Sequence, residues 1–135
     1  MLTVNEFAKH LDLALLAPNV QEQAIIEACN TAAKYQVNCV NVNSCWIDTA
    51  KKALEGSGVG YSAVIGFPYG TAISKVKYLE LEEMLKVGCS ACDMVINVGA
   101  IKSGDWMLVK RDIEGVVNAV KGRATVKVII ETCLL

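Results

Sequence analysis

The chain has 135 residues, with 13 basic and 14 acidic side chains, a formal net charge of −1 and 53% apolar residues. The two signs of charge are interspersed, which argues against a nucleic-acid or anionic-membrane partner, and no apolar run approaches the ~18 residues of a membrane span. The length suits one domain over residues 1–135, while the apolar content exceeds the usual range of about 45–50%, leaving more apolar surface than one small fold needs.

The opening MLTVNEFAKH lacks the basic head and apolar stretch of a signal peptide, so a cytoplasmic protein is expected. Thr3 is placed to cap a short helix from Val4 to His10. Leu11 to Leu16 reads as a buried strand, and Pro18-Asn19 turns the chain. Asn19 and Glu22 have capping-box spacing, opening a helix through Tyr35 with Ala24, Ile25, Ala28, Cys29 and Ala32 at helical intervals. Val37 to Val42 is a second strand. Ser44 caps a helix to Leu54, which Gly56, Gly58 and Gly60 break. Tyr61 to Phe67 is the third strand, followed by a helix from Ile73 to Val87 that Gly88 ends. Cys92 to Val98 is the fourth strand. A long helix from Trp106 to Val120 follows Ser103-Gly104-Asp105, and Ala124 to Thr132 is the fifth strand.

Strands apolar on both faces, alternating with amphipathic helices through short links, are the pattern of a parallel sheet in an α/β fold. No linker, low-complexity segment or charge block divides the chain, and the only repeat is the strand–helix unit itself. The six cysteines, Cys29, Cys39, Cys45, Cys89, Cys92 and Cys133, read as small apolar residues of a reducing compartment. Cys89 and Cys92 have C-x-x-C spacing, but zinc needs four such ligands and His10 is the only histidine, so packing is the favoured role and no metal or cofactor is expected.

Two charges fall where the strands should be driest. Alternation puts Asp93, Val95 and Asn97 on one face of the fourth strand, and Lys127, Ile129 and Glu131 on one face of the fifth. If those strands are neighbours, the carboxylate and ammonium meet. Two readings stay open: a buried ion pair that fixes register, or a proton-transfer site whose lysine acts as base or amine nucleophile. Lys127 is the only lysine placed inside a strand, and the others are expected to be solvated on helices or loops. Asn97 and Glu131-Thr132 are either pocket residues or partners for backbone groups at strand ends.

SAVIGFPYG (Ser62 to Gly70), DMVINVGAIKSGDW (Asp93 to Trp106) and VKVIIETCLL (Val126 to Leu135) together resemble deoxyribose-phosphate aldolase, a class I aldolase on a TIM barrel. HLDLALLAPN (His10 to Asn19) and VNVNSCW (Val40 to Trp46) are similar to that family's first two strands, so the resemblance runs along the whole chain. It implies a partial TIM barrel of about five strand–helix units, and reversible cleavage of 2-deoxyribose 5-phosphate to acetaldehyde and glyceraldehyde 3-phosphate through a lysine Schiff base. It places Asp93 as the acid that relays protons through water, Lys127 as a lysine lining the same pocket, and Asp12 as a strand-one aspartate near it.

The family's Schiff-base lysine belongs to a sixth-strand segment resembling KTSTG, which is not among these residues; nor are the second essential lysine and the phosphate-binding glycine-rich loops of strands seven and eight. Ala14, Asn41 and Ala17 stand where threonine, cysteine and lysine are frequent. The expectation is a catalytically silent partial barrel; the alternatives are an active aldolase using Lys127, or less favourably Lys102, as amine, and a portion of an enzyme that needs its remaining units. Only an active chain would take a small phosphorylated sugar. Five of eight units cannot close a barrel, so exposed strand edges and apolar faces predict a homo-oligomer, most simply a two-fold dimer.

Overall fold

The computed structural model describes residues 1–135. Five strands alternate with helices, and the strand order follows the chain, β1-β2-β3-β4-β5. The chain divides into two compact units, Met1–Ala63 and Val64–Leu135, and each is described by itself.

In the first unit, helix α1 (Val4–Ala8) opens with the expected Thr3 cap: the Thr3 hydroxyl accepts from the Glu6 amide at 3.2 Å, and the Glu6 carboxylate accepts from the Thr3 amide at 2.8 Å. This reciprocal pairing satisfies two amides that a helix start would otherwise leave open. Strand β1 (Asp12–Leu15) pairs in parallel with β2 (Cys39–Val42), and β2 with β3 (Gly60–Ile65). Helix α2 (Glu22–Tyr35) crosses over between β1 and β2, burying Ile25, Cys29 and Ala32 at i, i+4, i+7. Its cap is Gln21 rather than Asn19, and it makes no side-chain cap bond. After β2 a single 3₁₀ turn, Ser44–Trp46, leads into α3 (Ile47–Ala53), so the helix expected from Ser44 begins a turn late.

In the second unit, β4 (Ala91–Val95) is buried at every position and pairs in parallel with β5 (Thr125–Ile129). Helix α4 (Ser74–Val87) precedes β4; α5 (Val98–Lys102) and α6 (Trp106–Val120) lie between β4 and β5. Their core gathers Ile65, Leu81, Cys92, Met94, Val116 and Val120, all essentially solvent-free. The short helix α5 begins at Val98, the residue at which the sequence pattern ends the fourth strand. β4 stops at Val95, because the Asn97 side chain accepts from the Ala100 amide at 3.0 Å and starts the helix. β5 likewise stops at Ile129 rather than Thr132. Glu131 adopts φ 50, outside strand geometry, and begins a 3₁₀ turn, Thr132–Leu134. No helix is long and apolar enough to cross a membrane.

Candidate functional site

The register of the two strands in the second unit sets Asp93 directly opposite Lys127. The Lys127 Nζ lies 3.0 Å from Asp93 Oδ1, with 30% of the lysine side chain exposed and 8% of the aspartate. Alternation along the two strands predicts this meeting, and the structure brings the two side chains together. Behind them on β4, the Cys92 thiol is pushed up to about 11, first by burial and then by the neighbouring Asp93 charge, with Lys127 opposing. A thiol in that state is an inert packing group, not a nucleophile.

The flanking candidates fall outside the Lys127–Asp93 pair. Asn97 spends its side-chain oxygen on the α5 cap. Glu131 is exposed beyond the end of β5, and its carboxylate accepts from the Cys133 thiol at 3.0 Å, so it does not continue the Lys127 face. Lys102 sits exposed in the last turn of α5 rather than in a loop. Cys89 and Cys92 are both buried free thiols, and no group of three or more His, Cys, Asp or Glu is placed to hold a metal ion.

One expectation is overturned. Lys77, on α4, is completely buried although it was expected to be solvated. Its ammonium donates to Asp112 Oδ2 of α6 at 2.5 Å and to the Val95 carbonyl at 3.1 Å. The reason is helical spacing: Lys77, Leu81 and Met84 share the inward stripe of α4, and Asp112 shares that of α6 with Val109, Val116 and Val120. A charge on an apolar stripe was the available signal. Nearby, Glu80 accepts from the Gly66 amide at 2.7 Å, so α4 holds both the loop after β3 and the end of β4.

In the first unit, Asp12 opens β1, is exposed, and accepts from the Asn38 side-chain amide at 2.7 Å. It borders a cavity of about 420 Å³ whose other walls are largely apolar, including Val4, Phe7, Leu13, Tyr35 and Val37. Asn41, opposite Ala14 on β1 and Ser62 on β3, is buried.

A parallel sheet whose strand order follows the chain, with helices between the strands, has the order of a (β/α) barrel segment. The comparisons narrow the class. The chain is 45% identical over 130 residues to a deoxyribose-phosphate aldolase of Clostridium kluyveri, covering 96% of this chain and 60% of the relative. To that of Actinobacillus succinogenes it is 45% identical, with coverages of 96% and 58%. Among solved structures, the tetrameric deoxyribose phosphate aldolase of Aeropyrum pernix superposes with a TM-score of 0.87 at 29% identity, over 98% of this chain and 56% of that one. An aldolase designated QR15 gives 0.88 at 30% identity, over 100% and 58%. No family model matches. In sequence and in fold the chain is similar to the deoxyribose-phosphate aldolases, and it spans about 60% of the length of the curated relatives it matches.

Proposed function

We propose that this chain carries the Asp93 and Lys127 side of a deoxyribose-phosphate aldolase site, is catalytically silent by itself, and self-associates. The observation that carries the silence is the ion pair. Schiff-base formation needs a neutral amine with a free approach to the carbonyl carbon. The Lys127 Nζ is instead held 3.0 Å from the Asp93 carboxylate, an arrangement suited to relaying protons and fixing strand register. Asp12 is carried over as a pocket aspartate by resemblance alone.

Self-association is supported by large apolar side chains left exposed in each unit: Val4 and Phe7 in the first, Tyr69, Ile73 and Trp106 in the second. The tetrameric Aeropyrum pernix relative is in keeping with it. A second reading rests on the 30% exposure of the Lys127 side chain, which leaves room for a small aldehyde to reach it: the chain is then an aldolase with Lys127 as its amine.

Borohydride trapping with acetaldehyde, read by intact mass and peptide mapping, separates the readings. No adduct on the chain alone is the expected result. An adduct on Lys127 overturns the silence and establishes the second reading. An adduct formed only after the C-terminal units of a relative are supplied assigns the chain as one part of a divided enzyme.

A further inference from the structure

Helix α4 begins without a side-chain cap. Its N-cap residue, Ile73, has no acceptor to offer, although the Val76 and Lys77 amides bond the Ile73 carbonyl at 2.9 and 3.4 Å. The Ser74 and Lys75 amides, at the first two positions of the helix, are left open at its positive end. Ser74 also lines a cavity of about 230 Å³ in the second unit, shared with Thr71, Asn97, Arg111 and Asp112. Sites for drug-sized molecules run to roughly 300–1,000 Å³, so this one suits a group of a few heavy atoms.

The groups on its wall are mostly donors. Arg111 is uncommitted, because the acids near it on α6 are engaged elsewhere: Glu114 with Lys110 at 3.7 Å, Asp105 with the Leu108 amide at 3.0 Å, and Asp112 Oδ2 with Lys77. Asn97 commits its side-chain oxygen to the Ala100 amide, so its NH₂ is the end left for the cavity. The exception is Asp112. Its side chain is 6% exposed, Lys77 takes Oδ2, and Oδ1 is buried without a hydrogen-bond partner. A carboxylate oxygen in that state calls for a donor, whereas an open helix start calls for an acceptor. A bare anion answers the amides and Arg111 but sets a negative oxygen against Asp112 Oδ1. A neutral alcohol answers Asp112 but not the guanidinium.

We propose that this cavity binds a compact oxyanion that carries its own O–H, of which hydrogen phosphate is the simplest. Its anionic oxygens accept from the Ser74 and Lys75 amides and from Arg111, and its O–H donates to Asp112 Oδ1. Lys77 already neutralises Asp112, so Arg111 and the helix end leave the wall net positive: the ligand's charge is matched, and its proton supplies the selection. One helix end and one exposed guanidinium support a dissociation constant on the order of 1–10 mM. Asp93 and Lys127 are not among the lining residues, so the site stands whether or not that pair is catalytic.

Titration of the isotope-labelled full chain at neutral pH and constant ionic strength, read by amide chemical shifts, tests it. Inorganic phosphate should shift the Ser74 and Lys75 amides saturably, and sulfate, which has no O–H at this pH, should bind at least ~fivefold more weakly. Arg111→Gln, at an exposed position, should weaken phosphate about tenfold. Ile73→Asp, also at an exposed position, puts a carboxylate at the N-cap, where it accepts from the first amides of the helix itself; it should abolish the phosphate shifts and raise the thermal midpoint. The absence of a saturable shift by roughly 50 mM phosphate overturns the site. An equal response to sulfate overturns the part given to Asp112 Oδ1, and the proposal with it, leaving only attraction to a helix end. Phosphate shifts that survive Ile73→Asp overturn the placement of the ligand at the start of α4.

Discussion

The ammonium of Lys77 and the carboxylate of Asp112 meet at 2.5 Å between α4 and α6, with the lysine side chain wholly buried and the aspartate 6% exposed. Lys77 makes a second bond to the Val95 carbonyl, while Asp112 Oδ1 is buried with no hydrogen-bond partner. The pair is thus well matched on one side and incompletely satisfied on the other. Coulomb attraction in such a place is large, but so is the desolvation of both charges, and the net depends on keeping both partners.

Lys77→Met should therefore cost about 3–5 kcal/mol, because Asp112 is left as a buried charge without its cation. Lys77→Met combined with Asp112→Leu should recover most of that loss, ending within about 1–2 kcal/mol of the parent or above it. Urea denaturation of the four members of the cycle measures this. A double variant no more stable than the single one would mean that the pair does more than neutralise itself.

Gly70, in the same unit, is a position that only glycine fits. It has φ +67, and a Cβ built there overlaps the Ile96 carbonyl and crowds that of Val95. Both obstacles are backbone, which cannot swing aside. Gly70→Ala should lower stability by about 2–5 kcal/mol, combining the left-handed penalty with forced displacement of the chain after β4. A thermal midpoint within a degree of the parent would contradict this close approach.

Much of this architecture can be read from the chain, and the misses have physical causes. Asp93 and Lys127 were legible because alternation and parallel register are simple rules that hold inside buried strands. Strand ends were not, because apolar residues continue past them: Ile130 extends the apolar run of β5, but the left-handed Glu131 next to it turns the backbone away. Helix α5 was hidden by its five residues, too few for a periodic pattern, and only its cap, Asn97, announces it. Lys77 is not legible from residue type alone, because its position on the inward stripe of α4 outweighs the usual preference of lysine for water.

The cysteines set a pH dependence. Burial raises both Cys29 and Cys92 from the ordinary thiol value of 9.0 to about 11. A group whose folded value lies above its unfolded value contributes stability that is fully present below the unfolded one and lost as pH rises through the folded one. Stability should be level up to about pH 9 and fall by about 1–3 kcal/mol per thiol by about pH 11. Cys29→Ala with Cys92→Ala should flatten that fall, even at a lower starting stability. The same burial predicts that a disulfide reagent titrates Cys45 and Cys133 in the native protein, and Cys29, Cys39, Cys89 and Cys92 only after denaturation.

The ion pair on β4 and β5 should respond unequally to loss of its two ends. Asp93 is 8% exposed and Lys127 30%, so the aspartate depends more on its partner for compensation, while the lysine can turn its ammonium toward water. Lys127→Met leaves a carboxylate in a mostly dry strand face and should cost about 2–4 kcal/mol; Asp93→Asn leaves a lysine that rehydrates and should cost about 1–2 kcal/mol. Chemical denaturation at neutral pH, with both variants and the Asp93→Asn/Lys127→Met double, measures the asymmetry. The reverse order, with Asp93→Asn the more damaging, would show that the carboxylate holds the strands through partners besides Lys127. The role of Asp93 in any proton relay would then have to be separated from that structural work.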